Sequence, residues 1–308
     1  MKQSSRILFR LSLLVALMMG ASSSLSAIET EVHIEADGIM YYAYYNGFKD
    51  DAVANYAFVV GPINKQEERA YSISETVDYE LKWTEQDPNG NNVERSKTLT
   101  FKVTKIGNYA FKKSKLTTIG IPNTIEVIGG GAFENCVNLK FISLPPSVKE
   151  IGGDMCRGCT SLCKAGLNTT ITQVPDGAFQ GCTSLLDFSF PLGIKTIGTS
   201  AFQDCTNLIH MEFRSNVETI GATAFVNCTR LANITIWDNL FIGIYAFYGC
   251  PLTDIFVHCC TPPVNNMAFE TECWERTTVH VPFGCYDNYQ ERKFGWSEFK
   301  NIVYLSMN

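Results

Sequence analysis

Thiols, imidazoles and carboxylates are the side chains here with chemistry to offer, and the sequence holds twelve cysteines and only four histidines, His33, His210, His258 and His280. His210 and Glu212 sit two residues apart, so on a strand they share one side. With His258 they are the one trio that suggests a metal, through imidazole and carboxylate ligands. All three occupy long, solvent-facing positions, and no metal is expected there. Cys156, Cys159 and Cys163 lie close together, but no histidine or second cysteine pair at ligand spacing joins them to complete a zinc site. Hydrolysis or lysis of a polysaccharide would need charged groups clustered on one face. Asp187, Glu212 and Asp254 are too scattered for a pair. Gly-x-Ser-x-Gly, His-Glu-x-x-His and a phosphate-binding glycine loop are missing from the sequence. The expectation is a protein with no catalytic residues, no metal and no cofactor.

A repeat positions these residues. Ala-Phe recurs at Ala110-Phe111, Ala132-Phe133, Ala178-Phe179, Ala201-Phe202, Ala224-Phe225, Ala246-Phe247 and Ala268-Phe269, in steps of 22 or 23 residues, with Met155-Cys156 filling the one gap. Ile-Gly precedes most pairs, as at Ile128-Gly129 and Ile220-Gly221. A cysteine follows the Phe column by three residues, from Cys136 to Cys250, and a leucine follows three later, from Leu139 to Leu231. A unit this short cannot bury its own apolar side, but stacked units share a continuous core. Each unit also carries a segment of period two, such as Phe141-Ile142-Ser143-Leu144 or His210-Met211-Glu212-Phe213, which reads as a strand with one face buried. Stacking makes these strands parallel neighbours, and seven of them span about 30 to 35 Å. The expected fold is a β-rich solenoid, a right-handed coil of about seven turns of 22–23 residues with a parallel sheet. Its inward columns run from Ile119 to Ile255 and from Ile121 to Val257. The glycine of Ile-Gly is expected to serve a turn of positive φ.

The repeat also places the cysteines. Six of them occupy one column, predicting a ladder of buried free thiols that behave as small apolar residues. Disulfides between rungs stay open, since the stacking distance is within reach of a bridge, although parallel side-chain directions would strain them. Cys156 substitutes for the missing Phe. Cys259, Cys260, Cys273 and Cys285 fall in the last unit and offer one terminal disulfide.

Residues 1–27 read as a signal peptide. Lys2, Arg6 and Arg10 precede an apolar run, Leu11 to Met19, too short to cross a bilayer, and Leu25-Ser26-Ala27 suits cleavage. Removing those three basic and no acidic residues takes the net charge from −6 to −9. An acidic surface argues against nucleic acid or anionic lipid as partner. No later segment approaches membrane-spanning length. Residues 28–104 lack the repeat and read as a β-rich N-terminal cap, with strands over 32–39 and 98–103 and a turn at Asp87-Pro88-Asn89-Gly90. In this cap the cluster Tyr41, Tyr42, Tyr44 and Tyr45 is either strand packing or a sugar-stacking surface. The leucine-rich units cover 105–258, and 259–308 form the last repeat and a C-terminal cap. There Thr278 to Val281 reads as a strand, and Tyr286 to Phe299 as an aromatic helix laid over the last turn.

The pattern Ile-Gly-x-x-Ala-Phe-x-x-Cys-x-x-Leu, followed by an apolar strand and often Pro122, Pro145 or Pro191, resembles the BspA-type leucine-rich repeat of Bacteroides-like bacteria. Residues 220–236 show it clearly. The ending Thr261-Pro262-Pro263, Val281-Pro282, Tyr289 and Trp296-Ser297-Glu298-Phe299 is similar to the closing unit of that family, so the resemblance covers roughly residues 105–305. It implies a secreted or cell-surface protein used in adhesion to host extracellular proteins, other bacteria or epithelial cells. It names no ligand, because the residues that carry it are core. No cysteine precedes Cys136 to bear a lipid, so secretion, periplasmic residence and peripheral attachment to the surface all stay open.

In a solenoid the binding site is usually an exposed sheet face. The outward positions are small and bland in the first turns. In the second half they gather His210, Glu212, Arg214, Trp237, Phe256 and His258 within about three turns, and Trp and Arg are frequent binding anchors. These six are the candidate binding residues for an extracellular protein ligand. An ordinary solvated face with tolerated aromatics is the competing interpretation. Glycan binding, with Trp237, Phe256 and the tyrosine cluster as stacking platforms, is the alternative function, and a structural spacer the second alternative.

Overall fold

The computed structural model describes residues 29–46, 56–186, 188, 190–214, 216–238, 240–265, 267–291 and 295–305. The expected leader, residues 1–27, and the carboxylate Asp187 lie outside them. Strands β1 (Glu29–Ala36) and β2 (Ile39–Asn46) make an antiparallel hairpin through Asp37 and Gly38, with φ 51° and 78°. The single strand expected over 32–39 is therefore two. Asp-Gly is the turn whose paired positive φ values match the twist of flanking strands, and it interrupts the alternation. Next, β2 pairs antiparallel with β3 (Tyr56–Pro62), and β5 (Thr76–Gln86) pairs antiparallel with β6 (Asn92–Ile106) across the turn at Asp87–Gly90. Asp87 Oδ1 accepts the N–H groups of Asn91 and Asn89 at 2.8 and 2.9 Å, which holds its carboxyl below the usual range.

Long β6 joins the two parts of the molecule. Its last residues pair parallel with β8 (Val127–Ile128), which pairs with β10 (Glu150–Ile151). From there the chain is a solenoid of about eight turns with two strand ladders. One ladder was not anticipated from the sequence. It consists of two-residue strands at the Ile-Gly step, β12 (Gln173–Val174), β13 (Thr196–Ile197), β15 (Thr219–Ile220), β17 (Phe241–Ile242) and β19 (Val264–Asn265), all parallel. Among the described residues the anticipated ladder is present in pieces. β4 (Ala70–Ser72) pairs with β7 (Thr118–Gly120), and β9 (Phe141–Ser143) with β11 (Lys164–Gly166). A five-stranded parallel sheet then runs β14 (His210–Phe213), β16 (Asn233–Ile236), β18 (Asp254–Val257), β20 (Thr278–Val281) and β21 (Asn301–Tyr304). In the turn between β11 and β14 the inward column carries Phe188, where the preceding turn carries Ala165. Phe188 and Phe190 meet edge to face at 5.1 Å, and Phe188 packs beside the stacked pair Phe179–Phe202.

Between the ladders lies the core. The Phe column forms a file of nearly parallel rings, with Phe202–Phe225 and Phe225–Phe247 both at 5.2 Å between centroids. Such contacts add about 0.5–1.5 kcal/mol each beyond area burial. The backbone joins the turns as well: Phe202 N–H donates to Ala224 O, and Phe225 N–H to Ala246 O, both at 2.8 Å. The predicted thiol ladder is there, buried and unbridged. Each rung donates Sγ–H to the carbonyl in the Phe column of the preceding turn, as Cys205 does to Phe179 O at 3.1 Å and Cys228 to Phe202 O at 3.2 Å. Cys156, in the Phe column, serves as acceptor for Cys182 at 3.2 Å.

The role expected for the Ile-Gly glycine needs correction. In that column φ is not positive; the left-handed residue comes two positions later, at Asp154, Gly177, Ser200 and Thr223, with φ between 54° and 63°. The column is glycine because the turns touch there. A Cβ on Gly221 would lie 2.7 Å from the backbone of Gly198 and Thr199.

At the C-terminus the stack continues through β20 and β21. The aromatic helix expected over Tyr286–Phe299 is a single turn, Tyr286–Tyr289, and the longer helix is Thr271–Arg276, which takes the place of a turn. The lid exists nonetheless. Tyr289, Trp296 and Phe299 are buried, with Trp296 Nε1–H donating to Pro263 O at 2.6 Å. Once Tyr289 and Trp296 are set inward by the fold itself, the segment does not need helical periodicity to close the end. The terminal disulfide joins Cys260 to Cys285, with Cα atoms 5.2 Å apart. Among the described residues no helix is long and apolar enough to cross a membrane.

Candidate functional site

The five-stranded sheet fixes where each candidate residue stands. Alternation sends Met211, Phe213, Ile234, Ile236, Ile255 and Val257 inward, all of them fully buried. The parallel register lines up the outward residues in rows across the strands. One row is His210, Asn233, Asp254, Thr278 and Asn301, and the next is Glu212, Thr235, Phe256, His280 and Val303. A third row lies just past the strand ends. Trp237 N–H donates to Phe213 O and His258 N–H to Ile236 O, at 3.1 and 2.8 Å, which sets Arg214, Trp237 and His258 side by side.

Four of the six candidates form one linked group. Glu212 Oε1 accepts the indole N–H of Trp237 at 2.8 Å, and its Oε2 lies 3.5 Å from the Arg214 guanidinium. Trp237 in turn stacks on His258, with centroids 4.0 Å apart and planes within 8°. Phe256 belongs to a second group with two residues outside the six candidates. It stacks on His280 at 4.5 Å, and His280 Nε2 pairs with Asp254 Oδ1 at 2.8 Å. His210 is exposed at the head of the first row, outside both groups. His280 was missed although Thr278–Val281 reads as a strand. A 24-residue step containing a helix separates it from Asp254–Val257 and hides their common register.

The stacking direction decides what these rings offer. Each pair sits on neighbouring strands, so the stack runs along the solenoid and each ring has one face covered by its partner. Trp237 is nevertheless 45% exposed, a large aromatic side chain held in place by Glu212. The carboxylates of Glu212 and Asp254 are both engaged within the groups. Of the tyrosine cluster, Tyr41 is buried and Tyr42 stacks on His33 at 4.2 Å, while the side chains of Tyr44 and Tyr45 lie outside the described ones. Aromatics also gather on the other ladder. Phe241 and Val264 are neighbours there, beside exposed Tyr245 and Met267. The columns could have shown this, because polar Gln173, Thr196 and Thr219 give way to Phe241.

A family model described as the BspA type leucine rich repeat region matches the sequence in six copies, over residues 104–228 and 155–275. No curated protein matches. Among solved structures, a leucine-rich repeat protein from Eubacterium ventriosum aligns with a TM-score of 0.51 at 20% identity, covering 72% of this chain and 50% of that one. This chain thus spans half the length of that protein. The leucine-rich repeat protein of T. pallidum aligns over 80% of this chain and 85% of its own, at 21% identity and a TM-score of 0.44. At such identity the first of these likenesses bears on the fold alone.

Proposed function

The chain belongs to the BspA-type leucine-rich-repeat family, and from that premise we propose that it is an extracellular binding protein, not an enzyme, which engages a protein ligand through the outward rows of β14 to β20. The observation that carries this reading is the stacking of Trp237 on His258 and of Phe256 on His280, beside the Glu212–Arg214 pair. A sugar ring docks on the open face of an aromatic, and in each stack one face of either ring is closed to it by the neighbouring ring. Aromatic rings flanked by a fixed carboxylate and a guanidinium suit a protein surface, where Trp, Tyr and Arg supply most anchors. The buried Tyr41 removes part of the other platform that glycan binding would use. The Cys260–Cys285 disulfide suits an oxidising compartment, as does the leader read in residues 1–27. Release to the medium, periplasmic residence and peripheral attachment are all compatible with it.

The test is a binding screen of the purified protein against extracellular-matrix proteins and host or plant polysaccharides, with an Arg214→Glu variant beside it. Capture of a matrix protein, weakened about tenfold or more by the reversal and untouched by free oligosaccharide, is the expected result. Capture of polysaccharides only, competed by oligosaccharide and indifferent to Arg214, would transfer the protein to the glycan reading.

A further inference from the structure

The core of the solenoid is not closed at one corner. The inward column Phe213, Ile236, Val257 and Val281 is fully buried, but its last member, Tyr304 on β21, is 47% exposed. Phe283, 77% exposed, packs against it at 5.2 Å between centroids, and Tyr286 at 6.2 Å. On its other side β21 has no strand partner among the described residues. Leu305 N–H donates to Val281 O at 2.7 Å, so the alternation of the backbone turns the N–H and C=O groups of Ile302 and Tyr304 toward the open edge. Exposed edges are ordinarily guarded by charge, proline or a covering segment. Asn301–Tyr304 carries no charge, and the lysine that precedes it, Lys300, is paired with Glu275 at 2.6 Å.

We propose that this edge is an interface with a second copy of the same chain, joined end to end about a two-fold axis through antiparallel pairing of β21 with β21. The outward-turned groups fix the register. Ile302 of each copy exchanges both backbone bonds with Tyr304 of the other, and the axis passes beside Val303. Val303, 41% exposed, then meets its own counterpart on the outer face. Ile302 and Tyr304 extend the core column across the junction, and the aromatic corner of each copy covers that of the other. The two Lys300 side chains start about 20 Å apart along the strands, so like charges do not meet. An isologous contact needs such self-complementarity, and a charge-free apolar edge supplies it. Three partly exposed aromatics of roughly 200 Å² each offer about 300 Å² per copy. With the strands added, the contact falls at the small end of specific interfaces, so the dimer should dissociate on dilution.

Sedimentation equilibrium of the purified protein from about 1 to about 500 µM tests this. The expected result is a mass that doubles with concentration. A Phe283→Glu/Tyr304→Glu variant should stay monomeric with an unchanged thermal midpoint. Mixing it with a Phe283→Lys/Tyr304→Lys variant should restore pairing, because opposite charges then face across the axis. Should the glutamate variant not fold, Val303→Lys places a charge on the axis and is read in the same way. A wild type that is monomeric throughout, a folded variant that still doubles, or a mixture that does not pair would overturn the proposal.

Discussion

A thiol in this core acts as a hydrogen-bond donor, which explains why the column is cysteine rather than alanine. Cys182, Cys205 and Cys250 are buried, and that burial, with neighbouring thiols adding to it, pushes each of them well above the ordinary thiol range. The same thiols in the unfolded chain ionise near pH 8.5. The folded state therefore holds protons that the unfolded state releases, and the stability these groups provide is complete below about pH 8.5 and lost as pH rises. Each thiol contributes a slope of about 1.4 kcal/mol per pH unit, so three together remove about 4 kcal/mol per unit, against a total stability of about 5–15 kcal/mol. The thermal midpoint should accordingly fall steeply between about pH 9 and 11. A midpoint that stays flat across that range would mean the ladder does not hold its protons. The ladder was legible in the sequence from spacing alone. Its hydrogen bonds were not, since they depend on which carbonyl the preceding turn presents.

At the scale of the repeat unit, two glycine roles separate cleanly. Gly221 sits where neighbouring turns touch, whereas Gly90 has φ 81° in an open turn, where an added Cβ would meet nothing within 4 Å. Gly221→Ala must push two backbones apart and should cost about 2–4 kcal/mol. Gly90→Ala meets only the backbone preference and should cost about 1 kcal/mol. Urea midpoints of the two variants check this, and equal losses would show that the turns are not in hard contact at Gly221. Sequence periodicity identified the strands with alternating faces, such as His210–Phe213, because alternation is a burial pattern. It could not identify two-residue strands such as Thr219–Ile220, which are too short to alternate and are strands only because the next turn lies beside them. The hairpin at Asp37-Gly38 was readable and was overridden by the apparent alternation around it. The helix over Tyr286–Phe299 was inferred from aromatic spacing, but those aromatics are inward for a different reason: they fill the end of the stack.

Across the whole molecule, chemistry and architecture diverge along the axis. The internal columns keep the same residue types from turn to turn, which is why the fold was legible and why its family membership follows from the core. The outward rows change type, and the change is concentrated in the last turns. That Trp237, Phe256 and His258 stand on adjacent turns was legible because a parallel register can be counted from the repeat. His280 and Asp254 joined them only once the helix Thr271–Arg276 was seen to replace a turn without breaking the sheet. The same continuation brings β21 to the end of the sheet and leaves its far edge open. The central claim is that the outward rows of this sheet bind an extracellular protein, with the Trp237–His258 and Phe256–His280 stacks at their centre. The most direct test is surface plasmon resonance of the wild type and of a Trp237→Ala/Phe256→Ala variant over the matrix protein that the screen captures, with equal thermal midpoints as the control for folding. The account predicts affinity at least about 30-fold weaker in the variant, the loss of one strong anchor or more. Affinity unchanged within about twofold would contradict it and move the binding site off this face.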